Sequence, residues 1–170
     1  DFILKLNSNG DFVWAKLIGG ENGDGHNLSI DAANNIYTIG DYYTGSGFSI
    51  VYYMNVNKLD AAGNILYSKT LSALNVLNAN AISTDALGNV YVGGSYRGNV
   101  DFDPSTTASF TLQPSNTFED AYVLKLNSNG DFVWAKSFGG LNNDIIKSIA
   151  ADASGNIVTS YLLRDENIEL

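Results

Sequence analysis

Two stretches of this chain are letter-for-letter the same: Leu4 to Lys16 and Leu124 to Lys136 both read LKLNSNGDFVWAK. A weaker copy, KLDAAGNILYSK from Lys58 to Lys69, lies between them. The anchoring lysines Lys5, Lys58 and Lys125 stand 53 and 67 positions apart. A second block follows each copy, reading DAANNIYTIG from Asp31, DALGNVYVGG from Asp85 and DASGNIVTSY from Asp152, at offsets of 26, 27 and 27 residues from the lysines. Both blocks therefore belong to one unit present three times. Self-similarity at such a period means an array of small units, none of which buries its own faces alone.

Each block has the chemistry of a hairpin. Phe2, Leu4 and Leu6 alternate with Ile3 and Lys5, the period of two that marks a strand. In the first block the turn is supplied by Asn9 and Gly10, by Gly63, and by Asn129 and Gly130. In the second block Asp31, Asp85 and Asp152 open the turn, and Asn34, Gly88 and Gly155 follow three residues later. Asx side chains bond their own backbone, and Gly or Asn tolerates the left-handed conformation such turns use. Two hairpins per unit give four strands per unit and about twelve in all; no segment carries a sustained helical period with caps. The expectation is an all-β chain, residues 1–170 forming one segment with repeats at about 1–53, 54–120 and 121–170. Four short antiparallel strands at a period of roughly fifty residues describe a β-propeller blade, whereas leucine-rich repeats and β-helices recur every thirty residues or fewer. About three such four-stranded units are too few for a familiar closed ring, which points to a larger or oligomeric propeller.

Composition narrows the partners. The 170 residues carry a formal net charge of −9 and no run of Lys or Arg. Phosphate neutralisation needs a basic stripe, so no nucleic-acid partner is expected and anionic membrane surfaces are poor partners. No stretch reaches the roughly 18 apolar residues of a membrane span, so no membrane insertion is expected. With no Cys, neither disulfides nor thiolate metal sites arise. The sequence enters directly in a strand, with no initiator Met or signal peptide, and reads as a processed product or a segment of something longer.

The motifs VLKLNSNGDFVWAKSFGG (Val123 to Gly140), DASGNI and VDFDP (Val100 to Pro104) resemble the SBBP repeat of bacterial, Bacteroidetes-type secreted and cell-surface proteins. The resemblance covers most of the chain. It implies a β-propeller fold, an extracellular or cell-surface location, and export by a type IX system with a separate C-terminal sorting domain; it implies no defined activity. The chain departs from it where Tyr161 replaces the Gly of Gly40 and Gly94, where Tyr67 replaces Trp14 and Trp134, and in showing no sorting domain after Leu170. By analogy with related propellers, the strand before the Asp-x-x-Gly turn lies nearest the axis and the WAK strand outermost. The chain then opens with two outer strands and closes with two inner ones (Lys147 to Ala151 and Asn156 to Ser160), halves that complete one blade within a ring or between chains.

Few residues suggest chemistry. Asp101 and Asp103 alternate with Phe102 in the long loop from Ser95 to Asp120, so both carboxylates project from one side of an extended chain. They either cap a turn ahead of Pro104 or hold a hard cation, making Asp101 and Asp103 the candidate calcium ligands. Otherwise no cofactor is expected. The Asp- and Asn-rich turns lack the ligands that a calcium loop spreads over about twelve residues. The stretch Gly19 to Gly25 has the wrong spacing for a calcium nonapeptide and reads as a plain loop. His26 is the only histidine, and by spacing its third-unit equivalent is Ile146; with no Cys nucleophile, Gly-x-Ser-x-Gly elbow or phosphate loop, no catalytic set emerges. Trp14, Trp134, Tyr67 and Tyr91 suit packing between blades, while Tyr96, placed in the loop, is a candidate for stacking on a sugar. The expected function is a non-enzymatic extracellular scaffold for protein interaction or adhesion, its partners being further blades, a second chain, a surface protein or a glycan. A carbohydrate-binding propeller and a propeller lyase or hydrolase are the alternatives.

Overall fold

A computed structural model describes residues 2–18, 23–47 and 49–162. Among them every regular element is a strand, and every pairing is antiparallel. Strands β1 (Phe2–Leu6) and β2 (Phe12–Leu17) form a hairpin. Then β3 (Gly23–Ile30), β4 (Ile36–Thr44), β5 (Val51–Leu59) and β6 (Ile65–Ala73) build a first four-stranded sheet in chain order. The second sheet joins β7 (Leu77–Thr84), β8 (Val90–Tyr96), β11 (Asp120–Leu126) and β12 (Phe132–Phe138). Between β8 and β11 a small ribbon of β9 (Val100–Asp101) and β10 (Thr111–Leu112) is inserted, and β13 (Ile145–Ala151) with β14 (Ile157–Leu162) makes a last hairpin. Among the described residues there are fourteen strands where twelve are expected, because the insertion contributes two of its own.

The repeat in sequence is a repeat in register. Lys5 faces Trp14, Lys58 faces Tyr67 and Lys125 faces Trp134. The pairing slips by one residue just after each lysine, so Val13, Leu66 and Val133 occupy the same bulge. In the other hairpins the bulge falls at His26, Asn80 and Lys147. The structural counterpart of His26 is therefore Lys147, one residue beyond the Ile146 that spacing gives, because the first unit is one residue shorter between its blocks.

The sheets stack side by side. Alternating residues of β11 show it: Tyr122, Leu124 and Leu126 join a core with Ile39, Met54, Val56 and Leu71 of the first sheet. Ala121 and Val123 point the other way, into a core with Ile146 and Ile149 of β13. The second sheet is thus covered on both faces, and β8 is buried along its whole length. Its Gly93 lets β13 come close, since a Cβ there would lie 2.6 Å from Ile146. Strands β3, β7 and β13 are neighbours in space as well as equivalents in sequence.

Two expectations for the long loop are corrected. Strand β8 extends through Tyr96, so the connection begins at Arg97, and Tyr96 is a fully buried strand residue. It forms edge-to-face contacts with Phe102 and Tyr122 at centroid distances of 5.4 and 6.2 Å. Phe102 is fully buried too, and anchors the inserted ribbon to the main core.

Candidate functional site

The polar side chains that recur converge on the seams between neighbouring sheets. In the first sheet Asp31 opens the β3–β4 turn, and its carboxylate accepts four hydrogen bonds. Oδ1 accepts from the amides of Ala33 and Asn35, and Oδ2 from Asn35 Nδ2 (2.8 Å) and the Tyr37 hydroxyl (3.0 Å). Asp85 repeats this set with Leu87, Asn89 and Tyr91. Four acceptances fill a carboxylate's capacity. Burial pushes the pKa of both groups up, but the bonds from Asn35 and Tyr37, or Asn89 and Tyr91, outweigh it and leave each carboxyl below its ordinary value. Asp152 has the amides of Ser154 and Asn156 and the Asn156 side chain, but Val158 stands where the tyrosine would be.

The tyrosines join one unit to the next. Tyr37 Oη lies 3.3 Å from the carbonyl oxygen of Gly88 in the second sheet, and Tyr91 Oη lies 3.3 Å from that of Gly155 in the last hairpin. Each tyrosine faces a lysine across the strand pair, Tyr37 with Lys58 and Tyr91 with Lys125. The ammonium groups sit over the rings, 5.1 and 4.9 Å from the centroids, a cation–π arrangement. Lys58 also donates to the Ser128 carbonyl at 3.0 Å, and Lys5 donates to the equivalent Ala61 carbonyl at 2.8 Å. Burial, then the bond to Asp31, pushes the Tyr37 phenol well above its ordinary value. Burial raises Tyr91 as well, with Lys125 opposing and Asp85 adding to the shift. Both phenols stay protonated donors at neutral pH.

The turn residues named from the sequence lie around these seams. Asn34 has φ +64°, and Gly10, Gly63, Gly88, Gly130 and Gly155 lie between +75° and +85°. Gly88 and Gly155 also receive the neighbour's aromatic ring, for a Cβ there would stand 3.2 and 2.8 Å from the Tyr37 and Tyr91 hydroxyl oxygens. In the Asn7 and Asn127 turns Asp and Asn exchange places: the asparagine oxygen accepts the amides of Asn9 and Asp11, or Asn129 and Asp131, and its Nδ2 donates to the later aspartate. Asp60 makes the same turn in the opposite order, with Asn64 in the place of Asp11.

A cleft of about 430 Å³ opens between the 31–35 and 86–88 turns, with Lys58 and Ser128 in its wall. Its carboxylate and its ammonium are the groups already engaged at the seam. Asp101 and Asp103 lie elsewhere, in the inserted ribbon. Asp101 Oδ1 accepts the amides of Asp103 (3.0 Å) and Phe110 (2.8 Å), and Asp103 Oδ1 accepts that of Ser105 (2.8 Å). These bonds cap the turn that seats Phe102. No group of three or more potential metal-ligating side chains comes together among the described residues. Of the Gly19 to Gly25 stretch, residues 19–22 lie outside the described residues, as does the side chain of His26.

Sequence reasoning missed a polar cluster at the far end of the second sheet. The buried Asp120 accepts the Ser115 amide at 2.8 Å, and the buried Asp144 accepts the Gly140 amide at 2.8 Å. Ser95 Oγ donates to Glu119 at 2.8 Å. Ser95, Ser115, Glu119 and Asp120 have no counterpart at the same spacing in the other units, while Asp144 follows Gly139 and Gly140 as Asp24 follows Gly19 and Gly20, a repeat that reads as a plain loop. The lysine–tyrosine pairs did carry a signal: Tyr37 and Tyr91 both stand six residues after the turn aspartate.

No family model matches the chain. It is 24% identical over 123 residues to an uncharacterized WD repeat-containing protein of Acanthamoeba polyphaga mimivirus, a match covering 65% of this chain and 9% of that protein. The chain thus corresponds to less than a tenth of that relative's length.

Proposed function

We propose that the chain is a β-propeller segment of the SBBP kind, serving as a non-enzymatic scaffold for protein interaction or adhesion outside the cell. One observation carries the reading: the recurring polar groups are spent on holding neighbouring sheets together. The Asp31 and Asp85 carboxylates accept their full set of bonds, Lys58 and Lys125 lie on tyrosine rings, and Tyr37 and Tyr91 close the seams. Four-stranded antiparallel units stacked with β3, β7 and β13 as neighbours support blades around an axis. The distant similarity to a WD repeat-containing protein supports a repeat scaffold, and the resemblance of VLKLNSNGDFVWAKSFGG and VDFDP supports surface display. Tyr96, the candidate for sugar stacking, is fully buried, as is Tyr91, which weighs against the carbohydrate alternative.

The test pairs two assays on the purified chain. Glycosidase and polysaccharide lyase substrates should remain intact, and capture from a biotinylated cell-surface fraction should retain defined proteins that a charge-matched control does not. Hydrolysis or elimination abolished by substitution of one carboxylate would overturn the scaffold reading. Binding across a glycan array with no protein retained would favour the carbohydrate alternative.

A further inference from the structure

The thirteen residues common to both ends of the chain provide an internal control on burial. In the second sheet Leu124 and Leu126 are 0% exposed; the identical Leu4 and Leu6 of the β1–β2 hairpin are 48% and 49% exposed. Local sequence is the same and the hairpin register is the same, so the difference is in what covers each copy. For β11 the cover has two parts. Its free edge pairs with β8, and its Tyr122–Leu124–Leu126 face lies on the first sheet. Strand β1 lacks both among the described residues. Its opposite face, through Lys5, already docks on the Ala61 carbonyl of the first sheet.

The missing edge exists elsewhere in the molecule. Strand β14 is the sequence equivalent of β4 and β8, each of which pairs with an LKL-type strand on its outer side. On that side β14 pairs with nothing among the described residues. We propose that β14 of one copy of this chain receives β1 of a second copy, making a composite four-stranded sheet in the order β13, β14, β1, β2. The register follows from the two complete sheets, where Ile36 faces Leu59 and Val90 faces Leu126. Ile157 then faces Leu6, Val158 faces Lys5, Thr159 faces Leu4 and Ser160 faces Ile3.

The faces agree as well as the edge. In this register Leu4 and Leu6 turn toward the second sheet of the first copy, whose Trp134 and Phe138 are only partly buried. Lys5 turns toward the first sheet of its own copy, where it is found. The same join would cover Leu28 of β3, 49% exposed, whose equivalent Ile82 in β7 is buried. It would also close two open strand edges, which β proteins otherwise protect. The inference rests on the proposed stacking about an axis in one respect. Two copies joined reciprocally supply four complete and two composite sheets, within the range of about four to eight blades in closed propellers. The strand pairing itself does not depend on ring closure.

Because the chain has no Cys, introduced thiols report the pairing directly. The I3C variant is mixed with the S160C variant, exchanged under reducing conditions and oxidised, with mass in solution followed separately for the unsubstituted chain. Facing residues on neighbouring strands lie about 5 Å apart, within disulfide reach. The proposal expects efficient cross-linking between the two variants and little between I3C and T159C, which the register places on opposite faces. The unsubstituted chain should have twice its 18.2 kDa mass. Cross-linking with masses that grow in an open series would support the strand pairing and overturn ring closure. An 18.2 kDa monomer at tens of micromolar with no I3C–S160C product would overturn the pairing and leave the scaffold assay above unaffected.

Discussion

Replacing Tyr37 by Phe removes one oxygen atom from the seam between the two sheets and changes almost nothing else. The ring is fully buried, and Phe fills the same space. The hydroxyl lies 3.0 Å from Asp31 Oδ2 and 3.3 Å from the Gly88 carbonyl, and it shares one proton between them. Its loss leaves Asp31 with three donors and the carbonyl oxygen of Gly88 without this neighbour. A hydrogen bond to a charged group contributes about 1.5–3 kcal/mol, and an acceptor left buried costs more than the bond's mean value. Tyr37→Phe should therefore destabilise by about 2 kcal/mol. For a chain of this length that is a fall of about 4–8 °C in Tm, read by calorimetry or circular dichroism. Asp31→Asn should be less than additive with it, since the two side chains share the bond. A loss below about 0.5 kcal/mol, or full additivity in the double variant, would refute the seam assignment.

Further outcomes follow from the same geometry. Gly88→Val should cost more than Gly10→Val: both have positive φ, worth about 1–2 kcal/mol, but a Cβ at Gly88 meets the Tyr37 hydroxyl at 3.2 Å and one at Gly10 meets nothing within 4 Å. Equal losses, measured by urea denaturation, would show that the seam contact is immaterial. Phe102→Ala should destabilise by about 3–5 kcal/mol, as for large buried aromatics, and far more than Asp103→Asn, which keeps an oxygen acceptor for Ser105. Acid sensitivity should reside in the turn carboxylates. Asp31 and Asp85 are depressed below the ordinary value of 3.8, so their contribution is full well above that pH and is lost as pH falls through the lower folded values. Asp85→Asn should flatten the fall in Tm between pH 5 and about 2; an unchanged slope would count against this origin.

The all-β class and the hairpins were legible because repetition averages over local noise. One Asn-x-x-Gly stretch is a weak signal, but the same turn at matched offsets beside alternating apolar residues leaves few alternatives. The swap of Asp and Asn between the turns opening at Asn7 and at Asp60 is readable in the same way, since either order supplies one acceptor and one donor. What repetition does not cover was harder to place. Tyr96 looked like a loop residue because Ser95 follows two glycines, yet Gly93 and Gly94 are there for close approach of β13 and β7, and the strand continues past them. The pair Asp101 and Asp103 had the alternation of ligands; the buried Phe102 between them explains why the backbone there needs two caps. A one-residue difference in length between the blocks also hid one equivalence, and the bulges show the counterpart of His26 to be Lys147, not Ile146. In the Asp120 and Asp144 cluster only Asp144 and Gly140 have counterparts at the same spacing in another unit, and the residues from the insertion that complete it are brought there by tertiary structure.

The central claim is that the repeat units stand side by side, locked by tyrosines that reach the next unit's turn carbonyl. A crystal structure of the chain tests it most directly, through the position of the Tyr91 hydroxyl and the strands beside β7. The account predicts that hydroxyl within hydrogen-bond distance of both Asp85 and the Gly155 carbonyl, with β3 and β13 flanking β7. Two four-stranded sheets folded face to face into a closed sandwich, with Tyr91 remote from Gly155, would contradict it.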